Sequence, residues 1–230
     1  MIPLRDDNPR RGFPVVTVAL IAANVLVFIY EASLGPDGQR QLFTAMALIP
    51  RELTQGVDVG APSLHPVWLT IFTSMFLHGS WAHLLGNMLY LWIFGDNIEG
   101  ILGRAKYILF YLACGAAAML THVLSNPAST VPALGASGAI AGVLGAYAVK
   151  FPGAGVYTLI FLFPFARMVV LPAVILLGFW FVFQLMLAAF SLVPGAGGAG
   201  IAFFAHVGGF AAGALLITFM ARRRWRTAWE

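Results

Sequence analysis

The chain has 230 residues, of which 60% are hydrophobic and only 10% charged, and its mean hydropathy is +0.87. An ordinary soluble domain is about 25% charged, so there are too few polar groups here to cover a globule; a soluble enzyme, a disordered protein and a nucleic-acid module are excluded. The net charge of +4 rests on few ionisable groups, and a single cysteine, Cys114, excludes an intrachain disulfide framework and a cysteine-built metal site.

A bilayer core of about 30 Å takes roughly 20 apolar residues per helix. In chain order the candidate spans are residues 14–30, 80–94, 105–124, 134–151, 169–190 and 201–220. They make one all-α polytopic domain over 1–230, a six-transmembrane-helix bundle. Residues 1–13 form a tail in which Arg10 and Arg11 precede the first span, read as a retained anchor because no small-residue cleavage site follows. Residues 31–79 form a long loop. Within it 67–77 reads as an interfacial or re-entrant approach, broken from the second helix at His78-Gly79-Ser80. Residues 156–165 are apolar too, but at ten residues closed by Pro164 and Arg167 they are too short to span and read as an interfacial stretch. Residues 221–230 are a basic tail.

Positive charge sets the expected orientation. With six helices and the N-terminus inside, Arg5, Arg10, Arg11, Arg104, Lys106, Lys150, Arg167, Arg222, Arg223, Arg224 and Arg226 fall on the cytoplasmic side, and only Arg40 and Arg51 fall outside. Eleven against two is a strong positive-inside bias. Both termini are then cytoplasmic.

Polar groups at membrane depth are costly and point to function. His83 and Asn87 in the second helix, Ser137 in the fourth and His206 in the sixth all fall near the outer ends of helices running in the same direction, hence at similar depth. Ser137 precedes Gly138 and Gly142, and His206 precedes Gly209 and Gly213; both glycine pairs are small-xxx-small faces that let helices approach closely. Each pair alone reads as packing. At matched depth they bring Ser137 and His206 within hydrogen-bond reach. A serine hydroxyl needs a base, and neutral imidazole is the usual one near pH 7. The third to sixth runs contain no carboxylate, while Asp96 and Glu99 sit at the inner end of the second, so a Ser–His dyad is the arrangement the spans supply. Backbone N–H groups in the first turn at Ser137, with His83 and Asn87 four apart on one helix face, could form an oxyanion hole; interhelical hydrogen bonding is the alternative role for the latter two. His78, five residues before His83, falls on a different helix face and reads as structural. No H-E-x-x-H occurs, so no metal site is expected. His65 and His122 read as interfacial, and Trp81, Tyr90, Trp92, Trp180 and Trp225 as interface or lipid-facing aromatics.

His78-x4-His83-x3-Asn87, Gly135-x-Ser137-Gly138 with Gly142, and Ala205-His206-x2-Gly209-x3-Gly213, in that order, resemble the rhomboid intramembrane serine proteases. The resemblance implies Ser137 as nucleophile and His206 as general base, with His83, Asn87 and the Ser137 backbone N–H stabilising the oxyanion. It implies single-span membrane proteins as substrates, cut in or near the outer part of the bilayer, and a water-filled cavity open to the outside beneath a mobile fifth helix. It also implies no cofactor and, for a compact six-helix form, the bacterial plasma membrane. The family's Trp-Arg in the loop before the second helix is here Leu69-Thr70, and the aromatic four residues after the serine is Ala141. A non-catalytic rhomboid-like scaffold that binds membrane helices and a small transporter are the rival readings.

Overall fold

Lipid offers no hydrogen bond to a backbone, so an apolar segment closes its bonds internally as a helix. The computed structural model describes residues 1–9, 12–60, 62–162, 165–191 and 202–221. Within them the chain runs β1 (Ile2–Asp6), α1 (Val15–Ser33), α2 (Gly35–Met46), α3 (Pro50–Gln55), α4 (Thr70–Thr73), α5 (Trp81–Leu102), α6 (Arg104–Ser125), α7 (Ser137–Lys150), β2 (Gly155–Leu162), β3 (Phe165–Pro172), α8 (Ala173–Phe190) and α9 (Phe203–Met220). Helices α1, α6, α8 and α9 are each long and apolar enough to cross a membrane. Helix α5 matches them in length but carries Asp96, Asn97 and Glu99, and α7 has only 14 residues. Together the six form a helical membrane bundle with α7 at its centre, buried without a break from Gly138 to Tyr147 and packed chiefly against α9.

Glycine brings α7 and α9 together. A methyl group on Gly209 would run into the carbonyl oxygen of Gly138, and one on Gly213 into that of Gly142. Gly145, which the sequence pattern had not drawn out, meets the Phe210 carbonyl in the same way. The two backbones are therefore in direct contact along three successive levels, the close approach that small-residue faces permit.

Several boundaries differ from the sequence expectation. The second helix continues eight residues past 94, to Leu102, because its polar end finds partners. Glu99 accepts hydrogen bonds from the backbone N–H groups of Val16 (3.0 Å) and Thr17 (2.8 Å) and from the Thr17 hydroxyl (2.8 Å). It caps the start of α1, for which the Pro14 side chain can do nothing. The fifth span begins at Ala173 rather than 169, since Val169, Val170 and Leu171 belong to β3 and pair with Thr158, Tyr157 and Val156 of β2. β-Branched and aromatic residues favour this extended pairing, and Pro172 ends it. Residues 156–162 of the apolar stretch thus lie in a strand rather than in a seventh helix, and β1 completes an antiparallel sheet in the order β1-β2-β3. The fourth helix starts at Ser137 and the sixth at Phe203, each a few residues later than expected. Ile201, Arg10, Arg11, Pro164, residues 192–200 and the residues from Arg222 onward, with Trp225, lie outside the described residues.

The long loop is folded as well. Beyond α2 and α3, residues 67–76 wind through short helical turns whose Thr70, Ser74 and Met75 are buried. Met75 sits against Gly115 of α6, where an added Cβ would meet the Met75 sulfur and methyl group. Leu48 and Ala133 exchange backbone hydrogen bonds (3.1 and 2.8 Å), tying the loop to the segment that enters α7.

Candidate active site

The approach to α7 determines where its first side chain lies. Gly135 has φ +121°, a region that side chains rarely adopt, and a Cβ there would sit 2.6 Å from Cε1 of His83. Its N–H donates to the Ser74 carbonyl at 2.8 Å. The imidazole of His83 therefore lies over the turn that delivers Ser137. Ser137 is the first residue of α7, and the first helical bond runs from Ile140 N–H to the Ala136 carbonyl (3.0 Å). The amides of Ser137 and Gly138 precede that bond, as the first N–H groups of any helix do.

His206 is the fourth residue of α9, one turn ahead of the contact between Gly209 and Gly138. Its Nε2 lies 2.8 Å from the Ser137 hydroxyl oxygen, across 69 residues of sequence. Its Nδ1 lies 2.9 Å from Oε1 of Gln184, on α8. Trp180, one turn earlier on α8, sets its ring 5.9 Å from the same imidazole at an interplanar angle of 41°. Both α8 residues are half-buried. Trp180 faces the site, not lipid, which corrects its sequence reading. It also supplies from α8 the aromatic neighbour that Ala141, buried on α7, does not.

A second set of polar groups lines the same cavity through His83 and Asn87. Ser80 caps α5 by accepting the His83 N–H at 3.2 Å. Asn87 is buried, with its amide nitrogen 2.9 Å from Nε2 of His78. His78 Nδ1 faces the Phe76 carbonyl at 3.3 Å, and the backbone N–H of His78 reaches both oxygens of the Glu31 carboxylate at 3.2 and 3.3 Å. With Nδ1–H donating to Phe76, Nε2 accepts from Asn87 and leaves the second amide hydrogen of Asn87 uncommitted to His78. The sequence argument had set His78 on another helix face from His83. It precedes α5 rather than lying on it, so helical spacing does not apply, and the two imidazoles stand 5.0 Å apart, edge to face.

Ser137, His206, His83, Asn87, Gln184 and Trp180 all line one cavity of about 730 Å³. Polar side chains at membrane depth are tolerated where they line such a space. His122, which the sequence set aside as interfacial, and Tyr90 line it too. His65 is exposed, 3.6 Å from Asp58, and Trp81 is exposed and packs on Phe28. The loop holding Leu69 and Thr70 is fastened differently from a Trp-Arg pair: the Thr70 hydroxyl donates to the Val67 carbonyl (2.7 Å) and that of Thr73 to the Met46 carbonyl (2.6 Å). Among the described residues no group of three or more His, Cys, Asp or Glu could hold a metal ion. Sequence reasoning missed Gln184, although it is the one polar side chain in the apolar run 173–190 and stands four residues, one helical turn, after Trp180.

A serine hydroxyl at 2.8 Å from an imidazole, at the first amides of a helix, has the geometry of a nucleophile and its base. A family model described as a rhomboid domain matches residues 65–223. A protein of Bacillus subtilis (strain 168) named rhomboid protease GluP is 32% identical over 138 residues, 60% of this chain and 25% of that protein. Rhomboid protein 1, mitochondrial, of Saccharomyces cerevisiae is 38% identical over 100 residues, 42% of this chain and 28% of its own. The human presenilin-associated rhomboid-like protein, mitochondrial, is 33% identical over 148 residues, 64% of this chain and 35% of its own. The chain thus spans between 25% and 35% of the length of these relatives.

Proposed function

We propose that this chain, which belongs to the rhomboid family, is an intramembrane serine endopeptidase that hydrolyses peptide bonds in or near the transmembrane segments of single-span membrane proteins. The observation that carries the reading is the 2.8 Å approach of His206 Nε2 to Ser137 Oγ, made between two helices inside a cavity. Ser137 attacks the scissile carbonyl while His206 takes its proton. The negative charge that develops on the carbonyl oxygen is met by the Ser137 N–H and by donors on His83 and Asn87. Such donors are typically worth about 3–4 kcal/mol each on the barrier. His206 then returns the proton to the leaving amine, and a water activated by the same imidazole hydrolyses the acyl-enzyme.

The chain is a multi-pass membrane protein. Charge supports an orientation in which the cavity opens to the extracytoplasmic side of a bacterial plasma membrane, with both termini inside. Arg5, Arg104, Lys106, Lys150 and Arg167 belong to the sheet and to the helix ends beside it, whereas Arg40 and Arg51 belong to the loop before α5.

The test is cleavage in proteoliposomes. Wild type and Ser137→Ala are reconstituted with a panel of single-span proteins carrying small and helix-breaking residues near the outer membrane boundary, and fragments are mapped by mass spectrometry. Cuts within or beside the spans by wild type alone support the reading. Intact panel members with both proteins, bound equally by each, favour the scaffold.

A further inference from the structure

His206 has two ring nitrogens, and the reaction needs them in different states. To take a proton from Ser137, Nε2 must present a lone pair, so in the neutral ring the hydrogen must sit on Nδ1. Nδ1–H then needs an acceptor. In Ser-His-Asp enzymes a carboxylate fills that place and holds the tautomer. Here the third to sixth apolar runs contain no carboxylate, and Oε1 of Gln184 lies 2.9 Å from Nδ1.

The geometry points to Gln184 as the positioning residue of the dyad: its amide oxygen accepts the Nδ1–H of His206 and keeps Nε2 free to face Ser137. This rests on the protease reading. Trp180, on the same face of α8 one turn earlier, packs its ring 5.9 Å from the same imidazole. The uncharged acceptor suits its surroundings, since a carboxylate within an apolar helix would carry a large desolvation cost when unpaired. It also places the base under the control of a third helix. Ser137 belongs to α7 and His206 to α9, whose backbones touch, but the acceptor rides on α8, where Ala173, Leu176, Leu177 and Ala188 alone are buried among the described residues. α8 is joined to α9 through Phe181 stacked on Phe210 at 4.5 Å. The base is oriented only while α8 is seated against α9.

Two near-isosteric variants separate this role from packing. Gln184→Met keeps the length and removes the acceptor; Gln184→Glu keeps an acceptor and removes the donor. Wild type, both variants and Ser137→Ala are reconstituted in proteoliposomes, their thermal midpoints are compared, and the second-order rate of labelling by a fluorophosphonate probe is measured from pH 5 to 9. The expected result is a loss of roughly 10- to 100-fold for Gln184→Met in folded protein. Gln184→Glu should retain labelling, with the acidic limb of its rate–pH profile moved to higher pH. A Gln184→Met protein that labels at the wild-type rate with the wild-type profile overturns the inference, as does equal loss in both variants. Wild type that labels no faster than Ser137→Ala refutes the serine protease reading itself and this inference with it.

Discussion

His78 stands behind the candidate site, one residue removed from the cavity that Asn87 lines. It is held from behind by the Glu31 carboxylate and the Phe76 carbonyl, and its Nε2 fixes the amide of Asn87. In this account Asn87 donates to the oxyanion and His78 decides where that donor points. Asn87→Ala should lower kcat by roughly 10²-fold or more with little change in KM, the signature of a contact made in the transition state. His78→Ala should cost less. The double variant should be no worse than Asn87→Ala, because once the amide is gone its support has nothing to hold. Full additivity of the two losses in a steady-state cleavage assay would show that they act separately.

At the scale of elements, the α7–α9 seam carries both the closest packing and the Ser137–His206 contact. Gly213→Ala would press a methyl group on the Gly142 carbonyl, backbone that has no rotamer through which to yield. Overpacking of this kind costs typically about 1–3 kcal/mol, and it would also part Ser137 from His206. Both the thermal midpoint and the labelling rate should fall. Gly178 on α8 is the control: nothing lies within 4 Å of the position its Cβ would take, and alanine is the better helix former by about 1 kcal/mol, so Gly178→Ala should leave the midpoint unchanged or raise it. Glu99→Ala should cost roughly 3 kcal/mol, since it strips a charged acceptor from three donors at the buried start of α1. Thermal unfolding in detergent reads all three variants.

On the scale of the whole molecule the two ends of the bundle are built differently. One holds the cavity; the other is closed by the sheet, with Asp6 accepting hydrogen bonds from Tyr147 and Asn97, and Asp7 from the Gly155 N–H at 2.8 Å. Burial pushes the Asp6 carboxyl up to about 6, with the Tyr147 hydrogen bond opposing and the neighbouring Asp96 and Asp7 reinforcing. A raised carboxyl stabilises the fold fully below its ordinary value near 4 and ceases to do so as pH rises through about 6. Asp6→Asn, which keeps an acceptor for both partners, should therefore gain in thermal midpoint over wild type as pH climbs from 4 to 7. A constant difference across that range would contradict the assignment.

The six spans and the order of the motifs were legible because hydropathy and glycine spacing are local signals, and the α7–α9 seam is made of those glycines. What escaped was non-local. The sheet needed Ile2–Asp6 to meet a hairpin about 150 residues away, the cap of α1 comes from Glu99, and Gln184 reads as one polar residue in an apolar run until α8 is laid beside His206. His78 was set apart from His83 because helical spacing was applied to a residue that precedes the helix.

The central claim is that Ser137 is activated by His206, and covalent labelling in membranes tests it without knowledge of the substrate. Wild type, Ser137→Ala and His206→Ala, matched for amount and thermal midpoint, are treated with a fluorophosphonate probe, and the adduct is located by peptide mass spectrometry. The account predicts an adduct on Ser137 in wild type, none in Ser137→Ala, and labelling of His206→Ala at or near background. Wild type that labels no better than Ser137→Ala, or His206→Ala that labels as fast as wild type, would contradict it.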